Sequence, residues 1–267
     1  MNNLGFEYSE YKIIQKSELA PDTFLFRLKG KIDFIPGQFI QAAIDHFGEA
    51  TFAICSDPAE KRFFELCIRG CGSTTNAFIN LLPGDSIKLR GPYGNGWPLK
   101  NLQGQDIVLV AGGIGYAPLR PLISFLLADK SKFGKICLFA GFKTPDHIIF
   151  KEEVEGLQSK LTLTNVYCEY ITRKFWGKKG LITEPLQKTE FDPKKTVVLM
   201  CGPEIMCPYC NEIFLSKNIP ERQIYISFER RMECGIGVCQ HCNIGKYLVC
   251  KDGPIFRLDQ IKDEIGK

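Results

Sequence analysis

The chain has 267 residues, 45% of them apolar and 24% charged, which suits two globular domains with a small appendage. Its formal charge of +4 is too small for a nucleic-acid footprint, and no apolar run reaches the length of a membrane span. The opening M-N-N-L-G-F-E-Y-S-E carries no basic-then-apolar signal, so the expected location is the cytoplasm, where twelve cysteines read as ligands and free thiols rather than disulfides.

Residues up to about 100 read as short strands with turn punctuation. Y-K-I-I-Q-K and T-F-L-F-R-L alternate, P-G-Q-F-I-Q-A-A-I follows a Pro36-Gly37 turn, and F-F-E-L-C-I-R and S-I-K-L-R complete the set. A single helical stretch, T-T-N-A-F-I-N-L-L, interrupts them, and the expectation is a small antiparallel barrel. The run G-C-G-S-T-T opens that helix, and Gly72, Ser73, Thr74 and Thr75 offer N–H groups and hydroxyls to a phosphate at a helix N-terminus. Plain helix capping by Ser73 or Thr74 explains the same letters. The cluster G-P-Y-G-N-G-W-P, Gly91 to Pro98, marks the domain boundary; it reads as a rigid linker, compatible with ligand contact by Tyr93.

After Gly104 the pattern changes. D-I-V-L-V-A is continuously apolar, as in a strand buried on both faces, and G-G-I-G-Y-A-P-L then opens a helix. K-I-C-L-F-A-G-F, a helix around F-K-E-E-V-E-G-L, then L-T-L-T-N-V-Y-C-E-Y and T-V-V-L-M-C-G-P continue the alternation of a doubly wound α/β domain. Gly112, Gly113 and Gly115 let a pyrophosphate approach the backbone, although a bare strand-to-helix turn would look the same. Cys201, Gly202 and Pro203 end a later strand, so two glycine-rich strand ends outline one dinucleotide crevice. Arg173, Lys174, Lys178 and Lys179 could meet a 2′-phosphate or form a solvated basic loop. Cys207 and Cys210, at helical spacing i, i+3, read first as small apolar packing and second as a redox dithiol.

The last forty residues carry the sharpest signal. Cys234, Cys239, Cys242 and Cys250 are spaced C-x4-C-x2-C-x7-C, the plant-type order of thiolates around a [2Fe–2S] cluster. Gly235 and Gly237 let the loop wrap closely. A four-thiolate zinc site, or one using His241, is the competing reading, but zinc motifs usually come as two short C-x2-C pairs. His241 reads as a solvent-facing loop residue.

Three ordered blocks then carry a resemblance: the phosphate helix with P-G-D…R-G-P-Y-G-N-G-W-P, V-L-V-A-G-G-I-G-Y-A-P-L, and C-G-P…S-F-E-R-R-M-E-C-G-I-G-V-C-Q-H-C. Along essentially its whole length the chain resembles the ferredoxin–NADP reductase superfamily. It is most similar to the iron–sulfur flavoprotein electron-transfer subunits of sulfhydrogenase, anaerobic sulfite reductase and dihydroorotate dehydrogenase. The resemblance implies an all-β FAD-binding barrel over 1–101, an α/β NAD(P)-binding domain over 102–227 and a [2Fe–2S] loop domain over 228–267. The family's flavin strand, Arg-Pro-aromatic-Ser, falls on Ala50, Thr51, Phe52 and Ala53, so its arginine and serine are missing. Arg69, next to Cys67 and Ile68 on the strand before the phosphate helix, is the substitute cation to test. Gly72 and Thr75 match the pyrophosphate positions, and Gly113, Ile114, Gly115 and Pro118 the nicotinamide-nucleotide loop. Cys201, followed by Gly202 and Pro203, matches a cysteine at the nicotinamide edge, and Glu229 a glutamate just before the cluster.

The implied reaction is hydride transfer from NAD(P)H to FAD, then single electrons through the cluster to a catalytic partner subunit. Two other functions compete: a free-standing NAD(P)H:ferredoxin oxidoreductase, and a redox-sensing cluster subunit without active flavin.

Overall fold

The computed structural model describes residues 7–265. Six strands form the first body: β1 (Ser9–Ala20), β2 (Thr23–Lys29), β3 (Phe39–Ile44), β4 (Gly48–Ala53), β5 (Phe63–Arg69) and β6 (Ser86–Tyr93). They pair antiparallel in the order β4-β3-β6-β1-β2-β5, and a bridge between Ile54 and Leu66 joins the two edges into a barrel. Alternating residues fill its interior, including Ile13, Phe26, Leu28, Ile40, Phe64 and Leu66, each almost fully buried. Helix α1 (Ser73–Asn80) plugs one end with Phe78, whose ring meets Phe52 edge-on with centroids 5.1 Å apart.

The second body is a seven-stranded sheet. Its parallel strands are β7 (Asp106–Gly112), β8 (Ile136–Phe142), β9 (Leu163–Cys168), β10 (Lys178–Lys179), β11 (Thr196–Cys201) and β12 (Ile224–Ser227). The order is β10-β9-β8-β7-β11-β12, and helices α2 (Tyr116–Ala128), α3 (Lys151–Gly156), α4 (Thr183–Lys188) and α5 (Met206–Ser216) occupy the connections. Every residue of β11 is buried, as a strand covered on both faces requires.

The C-terminal segment leaves this sheet and comes back. A small hairpin of β13 (Asn243–Ile244) and β14 (Tyr247–Leu248) leads into α6 (Val249–Asp252). Strand β15 (Ile255–Arg257) then adds antiparallel to β12, with Ile226 opposite Phe256, and α7 (Leu258–Ile261) follows. The four-cysteine loop is thus bracketed by two strands of one sheet. The boundary turn holds it too: Asn95 donates from Nδ2 to the carbonyls of Asp252 and Ile255 and accepts from the Ile255 N–H.

Candidate functional site

Strands β7 and β11 are neighbours in register, with Cys201 beside Ala111, so their carboxyl ends finish together. The glycines there are required by contact. A Cβ on Gly115 would lie 2.4 Å from the Cys201 carbonyl oxygen, and one on Gly112 2.6 Å from Pro203 Cδ. Gly113 differs: its φ is +52, and nothing stands within 4 Å of where its Cβ would be. The two strand ends are therefore pressed together while the backbone at Gly113 faces open space. Ile114 packs against the core behind the turn, and Pro118 sits in the first turn of α2, where its carbonyl lies 3.5 Å from Trp97 Nε1.

A crevice of about 490 Å3 runs from Gly112 and Gly113 past Pro203, Ile205, Met206 and Tyr209 to Lys143, Glu169 and Gly180. Its shape and glycine floor suit a dinucleotide. Lys143 and Glu169 follow β8 and β9 directly; their positions just beyond strand ends were the available sequence signal for them. Of the basic residues expected near a 2′-phosphate, Arg173 instead pairs with Asp146 at 2.8 Å, and Lys178 and Lys179 are exposed on β10.

Valine at Gly113 is expected to raise the nucleotide's dissociation constant at least about tenfold, since it needs both φ above zero and the open space. Titration of the oxidised protein with NAD(P)+ measures this, and an unchanged constant would leave the loop as a turn only. The flavin spectrum should not change.

Arg69, at the end of β5, lines this crevice, and it lies close enough to Glu229 to favour the ionised carboxyl. Beside the crevice is a second hollow of about 370 Å3, lined by Gly202, Cys207, Ser227, Glu229 and Arg230 among others. Cys201 stands at the end of β11, 1% exposed. Burial, then the negative field of Glu229, push its thiol well above the ordinary range against the Ser227 hydroxyl, so it stays protonated. Glu229 is accessible at the mouth, yet crowding by surrounding protein raises its carboxyl, opposed by Arg69. Cys207 and Cys210 are both buried, and burial pushes each thiol up to about 12, which suits apolar packing and not a redox pair.

At α1 the side chains divide the work differently from the simple capping expectation. Thr75 Oγ1, not Ser73 or Thr74, accepts from the N–H groups of Cys71 and Gly72, at 2.9 and 3.0 Å. Thr74 Oγ1 donates to the Phe47 carbonyl at 2.8 Å. Space is open where a Gly72 Cβ would stand, so a phosphate can approach this turn. Cys67 and Ile68 are buried on β5, and on β4 Phe52 faces the core while Ala50, Thr51 and Ala53 are half-buried.

The four cysteines of the C-terminal loop gather as two pairs. The Cys239 N–H points at Cys234 Sγ at 3.4 Å, and the Cys250 N–H at Cys242 Sγ at 3.4 Å. Val238 and Gly237 aim further N–H groups at the sulfurs of Cys234 and Cys250, at 3.2 and 3.1 Å. Burial pushes the Cys234 thiol up, but the N–H groups of Cys239, Ile236 and Val238 outweigh it and hold it at about 6. Burial and the adjoining Cys242 push Cys250 up to about 12. Among the described residues, no three His, Cys, Asp or Glu side chains converge on a point that one ion could fill. Two thiol pairs with N–H groups aimed at the sulfurs fit an iron–sulfur cluster better than the single tetrahedral centre of zinc. His241 is exposed, its Nδ1 3.5 Å from Glu233, as a loop residue should be.

The loop is seated on the barrel. Gln41 Nε2 and Thr51 Oγ1 both donate to the Met232 carbonyl, at 3.3 and 3.4 Å. Arg90 donates to the carbonyls of Glu233 and Cys234. Gly235 has φ +73, which disfavours a side chain, and a Cβ there would crowd Gln41 at 3.1 Å and Tyr93 at 3.2 Å. Tyr93 therefore packs against the cluster loop. No sequence signal marked Gln41 or Arg90, because their partners lie more than 140 residues away.

Three family models match this architecture: "Oxidoreductase FAD-binding domain" over 10–97, "Oxidoreductase NAD-binding domain" over 109–212, and "Iron-sulfur cluster binding domain of dihydroorotate dehydrogenase B" over 229–262. The chain is 39% identical to sulfhydrogenase 1 subunit gamma of Pyrococcus furiosus, across 87% of its own length and 84% of that subunit's. It belongs to this family of electron-transfer subunits. A probable dihydroorotate dehydrogenase B electron transfer subunit of the same organism is 35% identical, covering 94% of this chain and 91% of the relative. Among solved structures, that of an NADH-dependent reduced ferredoxin-NADP oxidoreductase superposes with a TM-score of 0.77 at 25% identity, over 97% of this chain and 94% of the other. A ferredoxin NADP+ reductase from Neisseria gonorrhoeae shares the fold alone, with a TM-score of 0.70 at 19% identity, over 82% and 97%. As a family member the chain is an NAD(P)H-dependent oxidoreductase, with FAD, NAD(P)H and iron–sulfur sites in the expected order.

Proposed function

We propose that this chain takes electrons from NAD(P)H and delivers them singly, through a [2Fe–2S] cluster, to a catalytic partner subunit. The observation that carries the reading is the segment from Ser227 to Cys234. It begins in the hollow beside the nucleotide crevice, places Glu229 at its mouth, lies against the barrel from Met232 to Cys234, and ends on the first cluster thiol. Four residues separate Glu229 from Cys234, so the five steps along the chain reach at most about 17 Å. Nucleotide site, flavin barrel and cluster loop are thereby joined by one short stretch.

Bound flavin supplies the conversion of an electron pair into single electrons, and the cluster carries one at a time. The protein's part is positional. The open backbone at Gly113 admits the nucleotide, and Gly115 lets the turn close against the end of β11 beneath it. Cys201, held protonated, and Glu229 orient the nicotinamide. Arg69 offers a cation at the crevice edge, where a phosphate of either cofactor can use it. Cys239, the exposed member of the four cysteines, with Val238 beside it, forms the face from which electrons leave. Sulfhydrogenase and dihydroorotate dehydrogenase relatives are named as subunits, and a redox partner of that kind is the proposed acceptor here, with ferredoxin the alternative. The proposed setting is a reducing cytoplasm, in keeping with the eight free thiols outside the cluster loop; no described helix is long and apolar enough to cross a membrane.

The test is anaerobic. The purified chain should reduce a viologen or ferricyanide with NAD(P)H, yet show no turnover with sulfite, dihydroorotate or hydrogen. Turnover of any of those three by the lone chain would overturn the subunit reading.

Glu229 adds a pH signature. Its carboxyl is raised above the usual 4.5, so on acidification it loses its charge earlier than an ordinary glutamate. The rate of flavin reduction at low nucleotide should therefore fall on the acid side through a titration above pH 4.5. Glu229→Gln should be slower at neutral pH and lack that limb; an identical limb in the variant assigns it to another group.

A further inference from the structure

The contacts between barrel and loop concentrate on one side chain. Arg90, on β6, has its side chain 2% exposed, so a full positive charge is held out of water. It forks onto Glu49 with Nε and Nη2, while Nη1 reaches the carbonyl of the cluster ligand Cys234 and Nη2 that of Glu233. The rings of Tyr8 and Tyr93 flank it at 5.8 Å each. Gln41 and Thr51 bind the preceding carbonyl, so three successive loop carbonyls are fixed by donors from β3, β4 and β6. Thr51 lies where the resemblance places the flavin strand. Its hydroxyl, which a proline there could not supply, is spent on the loop.

We propose that Arg90 is the positioning residue of the iron–sulfur loop and that its buried charge raises the cluster's reduction potential. The inference rests on the iron–sulfur reading of the four cysteines. A cluster that accepts an electron gains one negative charge, and a nearby cation in a medium of low dielectric favours that reduced state. The carbonyl of Cys234 is the direct link, since the peptide that carries the first thiolate is bonded to the guanidinium. Glu49 reaches the loop through Arg90 and opposes it electrically, so the two residues should act on the potential with opposite sign. A merely structural pair would not do so: loosening the loop from either side would disturb the cluster in the same direction.

The experiment is a redox titration of the cluster, followed by electron paramagnetic resonance, in the full-length chain and in Arg90→Gln, Arg90→Lys and Glu49→Gln, with iron and sulfide measured in each. Arg90→Gln is expected to lower the reduced-to-oxidised ratio at a fixed potential about tenfold, which is about 59 mV for a one-electron couple. Arg90→Lys, which keeps the charge, should recover much of that shift, and Glu49→Gln should move the potential upward. If Arg90→Gln does not hold a cluster, Glu49→Gln and Arg90→Lys carry the test by the sign of their shifts. Unmoved potentials, or shifts of one sign in the glutamine variants, would overturn the proposal while leaving the cluster in place. A wild-type chain without iron and sulfide, after reconstitution, would overturn the cluster reading and this inference together.

Discussion

Serine at Cys239 is expected to cost the chain its iron–sulfur cluster while leaving the flavin bound. Cys239 is the exposed member of the four proposed ligands, paired with Cys234 across an N–H···S contact of 3.4 Å. Serine keeps the backbone N–H and loses the thiolate, which the iron needs and a hydroxyl replaces poorly. The loop should survive the loss, because its anchors are independent of the metal. Residues 232–234 are held by Gln41, Thr51 and Arg90, and the chain beyond Cys250 is held by Asn95 and by the pairing of β15 with β12. Iron and labile sulfide should fall from a full cluster per chain to near none. The NAD(P)H-dependent bleaching of the flavin should persist, and one-electron transfer to a partner should stop. An unchanged iron and sulfide content would remove Cys239 from the ligand set.

Much of this was written locally. The barrel announces itself through alternation and Pro-Gly turns, the α/β domain through a continuous apolar strand followed by glycines, and the cluster loop through cysteine spacing. Each signal spans fewer than twenty residues and needs no partner elsewhere. What stayed hidden depends on distant partners. Strand β4, with Ala50 and Ala53, has weak intrinsic strand preference and is a strand because β3 pairs along its length. Strand β15 has three residues, too few to show a period, and exists through its pairing with β12. The seat of the cluster loop also stayed hidden. The loop reads as a separate appendage because nothing near Met232 or Cys234 in sequence names Arg90 or Gln41 as the receiver. Arg69 also lines the crevice at the end of β7, a position that its place before the phosphate helix does not reveal in sequence.

The other large effect should come from Arg120, which joins the two main bodies. It lies on α2, and its Nη1 reaches Glu65 Oε2 on β5 at 2.7 Å and the Cys55 carbonyl at 2.8 Å. Its Nε meets Glu153 on α3 at 2.7 Å, and Tyr116 donates to the same carboxylate at 3.0 Å. Glu65 is 3% exposed and also pairs with Arg27. The chain Arg27–Glu65–Arg120–Glu153–Tyr116 therefore crosses from barrel to α/β domain through partly dry surroundings. Alanine at 120 would leave two carboxylates short of a cation. Removing one partner of a buried pair costs about 3–5 kcal/mol, and the lower end fits here, because Glu65 keeps Arg27 and Arg120 is itself partly exposed. Spread over a chain of this size, about 3 kcal/mol corresponds to a drop of roughly 6–12 °C in the apparent Tm. The catalytic consequence should be visible before unfolding. Hydride transfer needs the crevice and the barrel held in register, and a misplacement of about 1 Å can cost about a hundredfold. Flavin reduction by saturating NAD(P)H should therefore slow at least about tenfold at temperatures where the variant remains folded, while nucleotide affinity changes little. Glu153→Gln in the same background should add less than it costs alone, since both substitutions cut one network. A Tm within a degree of wild type, together with an unaltered rate of flavin reduction, would show that the two domains are held in register by their apolar contacts alone.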